Sequence, residues 1–240
     1  MSAGRIRVLT WNLFHGRAVP PAGRPLVGEF TAMIAGWDWD VALLQEVPPW
    51  WPAPLARACG ADVRAALTSR NGALAVRRAV AARRPDLIKS NGGGANAVLS
   101  RRPIATDRAI RLRTWPERRV AQLLRLLDGT VLANYHGSSR VELAEVELAR
   151  LWTLALDWAG GAPLVLGGDL NLRSPASPEE GIVHLASRDV DHLFAGGLER
   201  VGEADRLPRL VSVGPGALEL SDHLPLAVTA RRTEPTPAGT

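Results

Sequence analysis

A short apolar run that stops at two glycines and then presents polar side chains constrains the fold of this chain most strongly. Residues 164–166 (Leu-Val-Leu) lead through those glycines to Asp169, Leu170 and Asn171. Apolar runs of this length that glycine interrupts are typical of buried strands. Side chains alternate along a strand, so Asp169 and Asn171 would emerge together while Leu170 turns to the core. Because Gly, Asp and Asn also cluster in turns, the segment alone predicts either a site or a turn.

Other apolar segments of strand length also end in, or closely follow, polar side chains of the same kinds. These residues are Asn12, Glu46, His136, Asp191, Asp222 and His223. A carboxylate that closes an apolar run is costly to bury unless it is paired, protonated or bound to a cation, so Glu46 is a candidate metal ligand. Taken singly, Asn12 is equally explained by an Asx-type turn and His136 by an ordinary buried histidine. His15, close to Asn12, is expected at the surface, with contact to a substrate as the alternative.

The remaining segments predict helices between the strands. The 3.6-residue periodicity favours helices at residues 26–37, 55–59 and 140–159 and a short helical segment before Arg188. In the long helix, Glu147 is expected at a solvated position. An Asp-Gly pair at 128–129 predicts a hairpin between residues 120–127 and 130–134. Residues 60–89 favour neither state clearly, and the glycines at 92–94 predict a hairpin connection.

Composition limits the class of protein. With 240 residues and 46% hydrophobic side chains, the chain can form one domain, predicted at 1–232, with a Pro-rich disordered tail at 233–240. The single cysteine, Cys59, excludes an intramolecular disulfide and suits a reducing compartment, so a cytoplasmic monomer is expected. No apolar leader and no membrane-length run are present, which predicts no integral membrane association.

The net charge of +5 favours polyanionic partners, but its distribution weakens that indication. Lys89 is the only lysine, and the arginine doublets, Arg118-Arg119 among them, are scattered along the chain. We therefore expect these doublets on the solvated surface, with phosphate binding as the alternative for any one of them.

Together the strand-end residues fit the hydrolysis of phosphoesters. Carboxylates are hard oxygen ligands for Mg²⁺, amides and histidines donate hydrogen bonds to phosphoryl oxygens, and a histidine oriented by a carboxylate can move a proton. The sequence contains no Gly-x-Ser-x-Gly elbow, His-Glu-x-x-His helix or phosphate-binding Gly-x-x-x-x-Gly-Lys loop. A non-catalytic binding module is the competing class, although such a module has no chemical need for the complete set.

The sequence resembles the endonuclease/exonuclease/phosphatase superfamily over residues 10–226. Seven short motifs carry the resemblance in the family's order: Thr-Trp-Asn at 10–12, Leu-Gln-Glu at 44–46, Ala-Asn-Ala-Val-Leu-Ser-Arg at 95–101, Asn-Tyr-His at 134–136, Gly-Asp-Leu-Asn at 168–171, Val-Asp-His-Leu at 190–193 and Ser-Asp-His-Leu-Pro at 221–225. The resemblance implies an α/β fold of four layers, in which two mixed sheets pack face to face with helices on the outer faces.

The resemblance also implies a role for each matching residue. The catalytic residues would be His136, Asp169, Asn171, Asp191 and His223; the substrate-binding residues Asn12, Asn96, Asn171 and His136; and the metal ligands Asn12, Glu46 and Asp222. The metal would be Mg²⁺, with Mn²⁺ as the alternative, and water would attack phosphorus directly.

Two features distinguish branches of the superfamily. Abasic-site enzymes lack a histidine at the position of His136, so the chain leans toward the deoxyribonuclease, sphingomyelinase and inositol-phosphatase branches. About twenty residues separate Asn171 from Asp191, which indicates a compact member of bacterial type. The expected substrate is nucleic acid, for a phosphodiesterase or nuclease, or else a small-molecule or lipid phosphate, for a phosphatase or an enzyme like phospholipase C.

Overall fold

The computed structural model describes residues 4–69, 71–87, 94–177, 181–213 and 216–233. The strands of the first large sheet, from one edge to the other, are β12 (Leu198–Arg206), β15 (Leu226–Arg232), β1 (Arg5–Asn12), β3 (Val41–Val47), β5 (Ala95–Ser100) and β4 (Asp62–Leu67). Those of the second are β10 (Ile182–Arg188), β11 (Asp191–Gly196), β9 (Leu164–Asp169), β8 (Val131–His136), β7 (Arg119–Leu126) and β6 (Ile104–Arg113). A small sheet contains β13 (Leu210–Val213), β14 (Gly216–Leu220) and β2 (Ala18–Val19).

The helices are α1 (Val27–Gly36), α2 (Pro52–Cys59), α3 (Leu74–Ala81) and α4 (Val141–Ala159), with 3-10 turns at Phe14–Gly16 and Pro85–Leu87. None of the helices in the described part of the chain is both long and apolar enough to cross a bilayer.

Three apolar clusters separate the layers of the fold. The central cluster joins the inner faces of the two large sheets through residues such as Val8 and Val165. Phe30 of α1 and Leu55 of α2 belong to a cluster on the outer face of the first sheet, and Trp152 of α4 to one on the outer face of the second. The expected four-layer α/β sandwich with two mixed sheets is confirmed.

Most of the expected elements are present, with one error. The hairpin around residues 128–129 forms from β7 and β8, and the helix expected at 140–159 is α4. The segment before Arg188 is a strand, β10, and not the expected short helix, because it pairs antiparallel with β11. Residues 60–87 contain β4 and α3. The glycines at 92 and 93 and most of the tail, 234–240, lie outside the described residues.

Strand direction brings the polar residues of distant segments to one edge. At the centre of each large sheet two strands run parallel, β1 with β3 and β8 with β9, so their carboxyl ends lie side by side. The register pairs His136 with Asp169, and the antiparallel β11 pairs Asp191 with the same residue. Because β15 runs antiparallel to β1 and pairs Leu226 with Thr10, the loop before β15 also reaches this edge.

A buried amide network fixes the two sheets against each other at the same edge. Gln45 Nε2 donates to Asn134 Oδ1 (2.8 Å), and Asn134 Nδ2 donates to the carbonyls of Leu44 and Ala97 (both 3.1 Å). Buried amides are costly unless their hydrogen bonds are made in one geometry, so this network selects one relative position of the sheets.

Candidate active site

A cleft of about 310 Å³ lies at the carboxyl ends of the central strands. Seven of the nine residues expected at the site line it: Asn12, Glu46, His136, Asp169, Asn171, Asp222 and His223. Asp191 lies behind His223 and contacts its ring. Asn96 is not among the lining residues.

Asp191 and His223 form a hydrogen-bonded pair. The Nδ1 of His223 donates to Asp191 Oδ2 at 2.8 Å, which leaves Nε2 facing Asp169, 3.7 Å from its Oδ2. Burial tends to lower the pKa of His223, but the bond to Asp191, with its charge and those of Asp169 and Asp222, outweighs burial and raises that pKa to about 9. Burial raises the pKa of Asp191 to about 6. At neutral pH the pair is therefore an imidazolium held by a carboxylate.

The loop before β15 is tied to β1. Ser221 Oγ donates to the Asn12 carbonyl (2.6 Å) and accepts from the backbone N–H of His223 (3.0 Å). Trp11 Nε1 donates to the His223 carbonyl (3.0 Å). Ser221, at φ 66°, belongs to the Ser-Asp-His motif, but only these contacts reveal its positioning role.

Asp169 is held from three directions. Its Oδ2 accepts from Asn12 Nδ2 (2.8 Å) and lies 3.4 Å from His136 Nε2, and its Oδ1 accepts from the backbone N–H of Asn171 (3.0 Å). Burial raises the pKa of Asp169, although His223 and the bond from Asn12 oppose that rise. Asn12 also makes the Asx-type turn, because its Oδ1 accepts from the Phe14 N–H (2.9 Å).

Asn171 departs from the simple strand expected for it. The strand ends at Asp169, and Asn171 has φ 54°. Its Nδ2 donates to the Gly137 carbonyl (2.9 Å), so the side-chain amide also holds the loop that follows His136.

Glu46 enters the cleft from an irregularity in β3. The register with β5 shifts between Leu44 and Val47, and Glu46 has φ 50°, which turns its carboxylate toward the site. Burial, followed by repulsion from Asp169 and Asp222, raises the pKa of Glu46 to about 7. When neighbouring carboxylates raise one another's pKa, the positive charge around them is too small to balance their negative charge. A divalent cation bound between such carboxylates would supply the missing positive charge.

The group formed by Asp169, Asp191 and His223 is less suited to binding a cation than Glu46 is. Ligand atoms of Asp169, Asp191 and His223 all lie within 4.8 Å of one another. Because His223 Nδ1 already donates to Asp191 Oδ2, a cation bound between these two atoms would displace a buried hydrogen bond.

Comparison with known proteins identifies the family of the chain. A model of the endonuclease/exonuclease/phosphatase family matches residues 9–223. The chain belongs to this family. Its members are metal-dependent hydrolases of phosphoric esters, the class of enzyme to which the chain is therefore assigned. No curated protein matches the sequence significantly.

Several solved structures share the family fold. An endonuclease/exonuclease/phosphatase from Beutenbergia cavernae is 21% identical, with a TM-score of 0.65 over 95% of this chain and 72% of that chain. Truncated TDP2 from Caenorhabditis elegans is 17% identical (TM-score 0.65; 95% and 98% covered), and a family protein from Bacteroides vulgatus is 13% identical (TM-score 0.69; 95% and 99% covered). At these identities the likeness concerns the fold.

Two further residues line the cleft, although the sequence favoured the surface for both. His15, expected at the surface, lines the cleft with Nε2 3.1 Å from Glu46 Oε2. Arg119, also expected at the surface, is buried at the start of β7, where its charge lowers the pKa values of Glu46 and His136. Both Arg118 and Arg119 precede the apolar run of β7, so the sequence contains no local signal that selects Arg119.

Asn96 does not reach the cleft surface. It is fully buried in β5, and its Nδ2 donates to the Val120 carbonyl (2.8 Å). The amide therefore joins the two sheets, which does not support its expected contact with substrate.

Glu147 was expected in solvent but is buried on α4. It accepts from the Ser138 N–H (3.0 Å) and Oγ (2.8 Å), and also from Tyr135 and Arg113. Burial and the Glu147 carboxylate raise the pKa of Tyr135, which therefore stays protonated and donates. Glu147 thus positions the backbone that follows His136.

Proposed function

We propose that the chain hydrolyses a phosphodiester with Mg²⁺ bound at Glu46 and Asp222, and with Asn12 beside them, by direct attack of water on phosphorus. The observation that carries the proposal is the Asp191–His223 pair, whose Nε2 faces the cleft that contains Glu46 and Asp169.

The cation site is supported by the charge of the cleft. The raised pKa of Glu46 reports an excess of negative charge, and carboxylate oxygens are ligands that Mg²⁺ and Mn²⁺ prefer. When bound, the ion would supply positive charge that stabilises the charge developing on the phosphoryl oxygens.

The side chains would divide the remaining work. Asp169, fixed by Asn12, would orient the attacking water and accept its proton. Protonated His223 would donate from Nε2 to a phosphoryl oxygen. Burial, with the positive charge of Arg119, lowers the pKa of His136 well below its ordinary value, so this ring would be a neutral donor to the phosphoryl or leaving oxygen. Asn171 would contact the phosphate.

The substrate is either a nucleic acid or a phosphorylated small molecule or lipid. Arg119 and the net charge of +5 favour a polyanion. An apolar pocket beside the cleft instead favours the alternative, a phosphatase or an enzyme like phospholipase C. The complete set of charged side chains argues against a binding module without catalysis.

The test is a panel of supercoiled DNA, RNA, a generic phosphodiester and phosphomonoesters, with Mg²⁺, Mn²⁺ or chelator. We expect hydrolysis that chelator abolishes, and a loss of at least about 10²-fold in Asp169→Ala and His223→Ala. Asp157→Ala, on the exposed face of α4, is the control and should keep full activity. Full activity in both site variants, with their fold retained by circular dichroism, would refute the assignment.

The proposal also covers the organisation of the protein. Residues 1–232 would form a single domain, and the protein would be a cytoplasmic monomer, which is compatible with the buried free thiol of Cys59. Light scattering at micromolar concentration tests the monomer.

A further inference from the structure

A second pocket, of about 350 Å³, lies next to the catalytic cleft. His15 borders both, so the pocket and the cleft meet at one imidazole ring. That ring contacts Glu46, so a substituent of a phosphate bound in the cleft beside Glu46 could extend into the pocket.

The walls of this pocket are suited to hydrocarbon. Five prolines and two tryptophans are among the described residues that line it. Proline has no backbone N–H to offer a ligand. Besides the two indole N–H groups, only His15 and Arg78 among these residues have side chains that form hydrogen bonds. A nucleobase would leave several polar edge atoms unpaired there, whereas an alkyl group has none.

Packing fixes Trp51 in one wall of the pocket. Its ring packs on Phe30 with 5.4 Å between centroids. The ring also occupies the space that a Cβ on Gly16 would need, 2.3 Å from the nearest ring atom. A side chain held in this way loses little conformational entropy when a ligand binds, and the volume of the pocket lies within the range of about 300–1,000 Å³ typical of ligand sites.

One wall consists of the end of α3 and the turn after it, including Ala81 and Ala82. The outer surface of this segment is itself apolar and basic: Val76 and Leu87 are 64% and 66% exposed, and Arg83 and Arg84 are exposed beside them. Exposed apolar side chains flanked by arginines are suited to contact with amphiphiles that carry phosphate.

We propose that this pocket is a substrate subsite that holds an alkyl substituent of the phosphoester whose phosphate occupies the cleft. The substrate is then an amphiphilic phosphoester. This inference rests on the proposed function for its placement of the phosphate.

Titration calorimetry with Mg²⁺ and methyl, butyl and hexyl phosphate tests the subsite without requiring turnover. Burial of one methylene strengthens binding roughly fourfold, so we expect hexyl phosphate to bind at least tenfold more tightly than methyl phosphate. Thymidine 5′-phosphate, the nucleobase probe, should bind more weakly than hexyl phosphate.

Two variants fill the pocket and one matched variant does not. In Ala81→Phe and Ala82→Phe the ratio of hexyl to methyl affinity should fall below about threefold. Ala79→Phe adds the same ring to an exposed position of α3 that does not line the pocket, and should keep the ratio. Circular dichroism and thermal melting check the fold, and the second filling variant serves if the first unfolds.

Several results would overturn the subsite. These are equal affinity along the alkyl series, tighter binding of thymidine 5′-phosphate, a preference for hexyl that survives both filling variants, and no binding of any phosphate. If the unmodified protein hydrolyses phosphoesters but shows no preference for longer alkyl phosphates, the subsite alone is refuted. If it shows that preference but hydrolyses none of the substrates, the proposed function alone is refuted.

Discussion

Replacement of Glu147 by alanine tests whether a buried carboxylate on α4 holds the loop that follows His136. Glu147 is 1% exposed and accepts from Tyr135, Arg113 and two donors of Ser138. The variant leaves the buried donors of Tyr135 and Ser138 unsatisfied, at about 1–3 kcal/mol each, and opens a cavity. We expect a total loss of about 3–5 kcal/mol, the range found when one partner of a buried ion pair is removed.

Urea unfolding followed by tryptophan fluorescence measures this loss. At about 2–4 °C per kcal/mol for a chain of this size, the midpoint of thermal unfolding should fall by roughly 6–20 °C. Glu145→Ala lies on the same helix in solvent and should change stability by less than about 0.5 kcal/mol. Equal stability of the two variants would refute the account of Glu147.

Three further predictions concern the site and its supporting strands. In Asp191→Asn, the pKa of His223 should fall clearly below about 9, because the hydrogen bond and the charge of Asp191 are lost and only the charges of Asp169 and Asp222 then oppose burial; an NMR titration of the ring measures it. Because the pKa of Glu46 is about 7, protons should compete with Mn²⁺, so the affinity measured by electron paramagnetic resonance should weaken from pH 8 to pH 6 and be lost in Glu46→Gln. Gly168→Ala should destabilise the fold by more than about 3 kcal/mol, since its Cβ would lie 2.0 Å from the Tyr135 carbonyl oxygen at φ 134°.

The first and the third of these predictions each have a matched control. Asp189→Asn removes an exposed carboxylate two residues from Asp191 and should leave the titration of His223 nearly unchanged. Gly28→Ala adds a methyl group where no atom lies within 4 Å, and should not destabilise the protein. A pKa of His223 that stays near 9, an affinity for Mn²⁺ that is independent of pH, or a fully stable Gly168→Ala would contradict the corresponding argument.

The site follows from topology as much as from residue type. Two parallel strand pairs end at one edge and supply Asn12, Glu46, His136 and Asp169, and the antiparallel neighbours β11 and β15 bring the Asp191–His223 pair to the same edge. The polar groups of the cleft are therefore held by central, hydrogen-bonded strands and by the strands next to them, the kind of support that electrostatic preorganisation requires.

The sequence by itself determined the central strands that carry the site residues, the family and seven of the residues that meet in the cleft. Those features are local, because an apolar run of strand length and the polar residue at its end are adjacent in the chain. The pattern can therefore be recognised in the sequence without knowing which other segments it contacts in the fold. Asp169 and Asn171 illustrate this, because both closely follow an apolar run in the sequence and both line the cleft in the structure.

Only the tertiary structure decided which side chains these strand ends meet. The helical periodicity places Glu147 on the solvated face, yet its carboxylate accepts hydrogen bonds from Ser138 and Tyr135. Asn96 matches a site motif, yet its side chain donates to the Val120 carbonyl between the sheets. Arg119, the first residue of β7, is buried and lines the cleft, whereas its neighbour Arg118 is half-buried and donates to the Thr68 carbonyl. Burial and pairing of this kind depend on segments far apart in sequence, and such non-local contacts override local pattern.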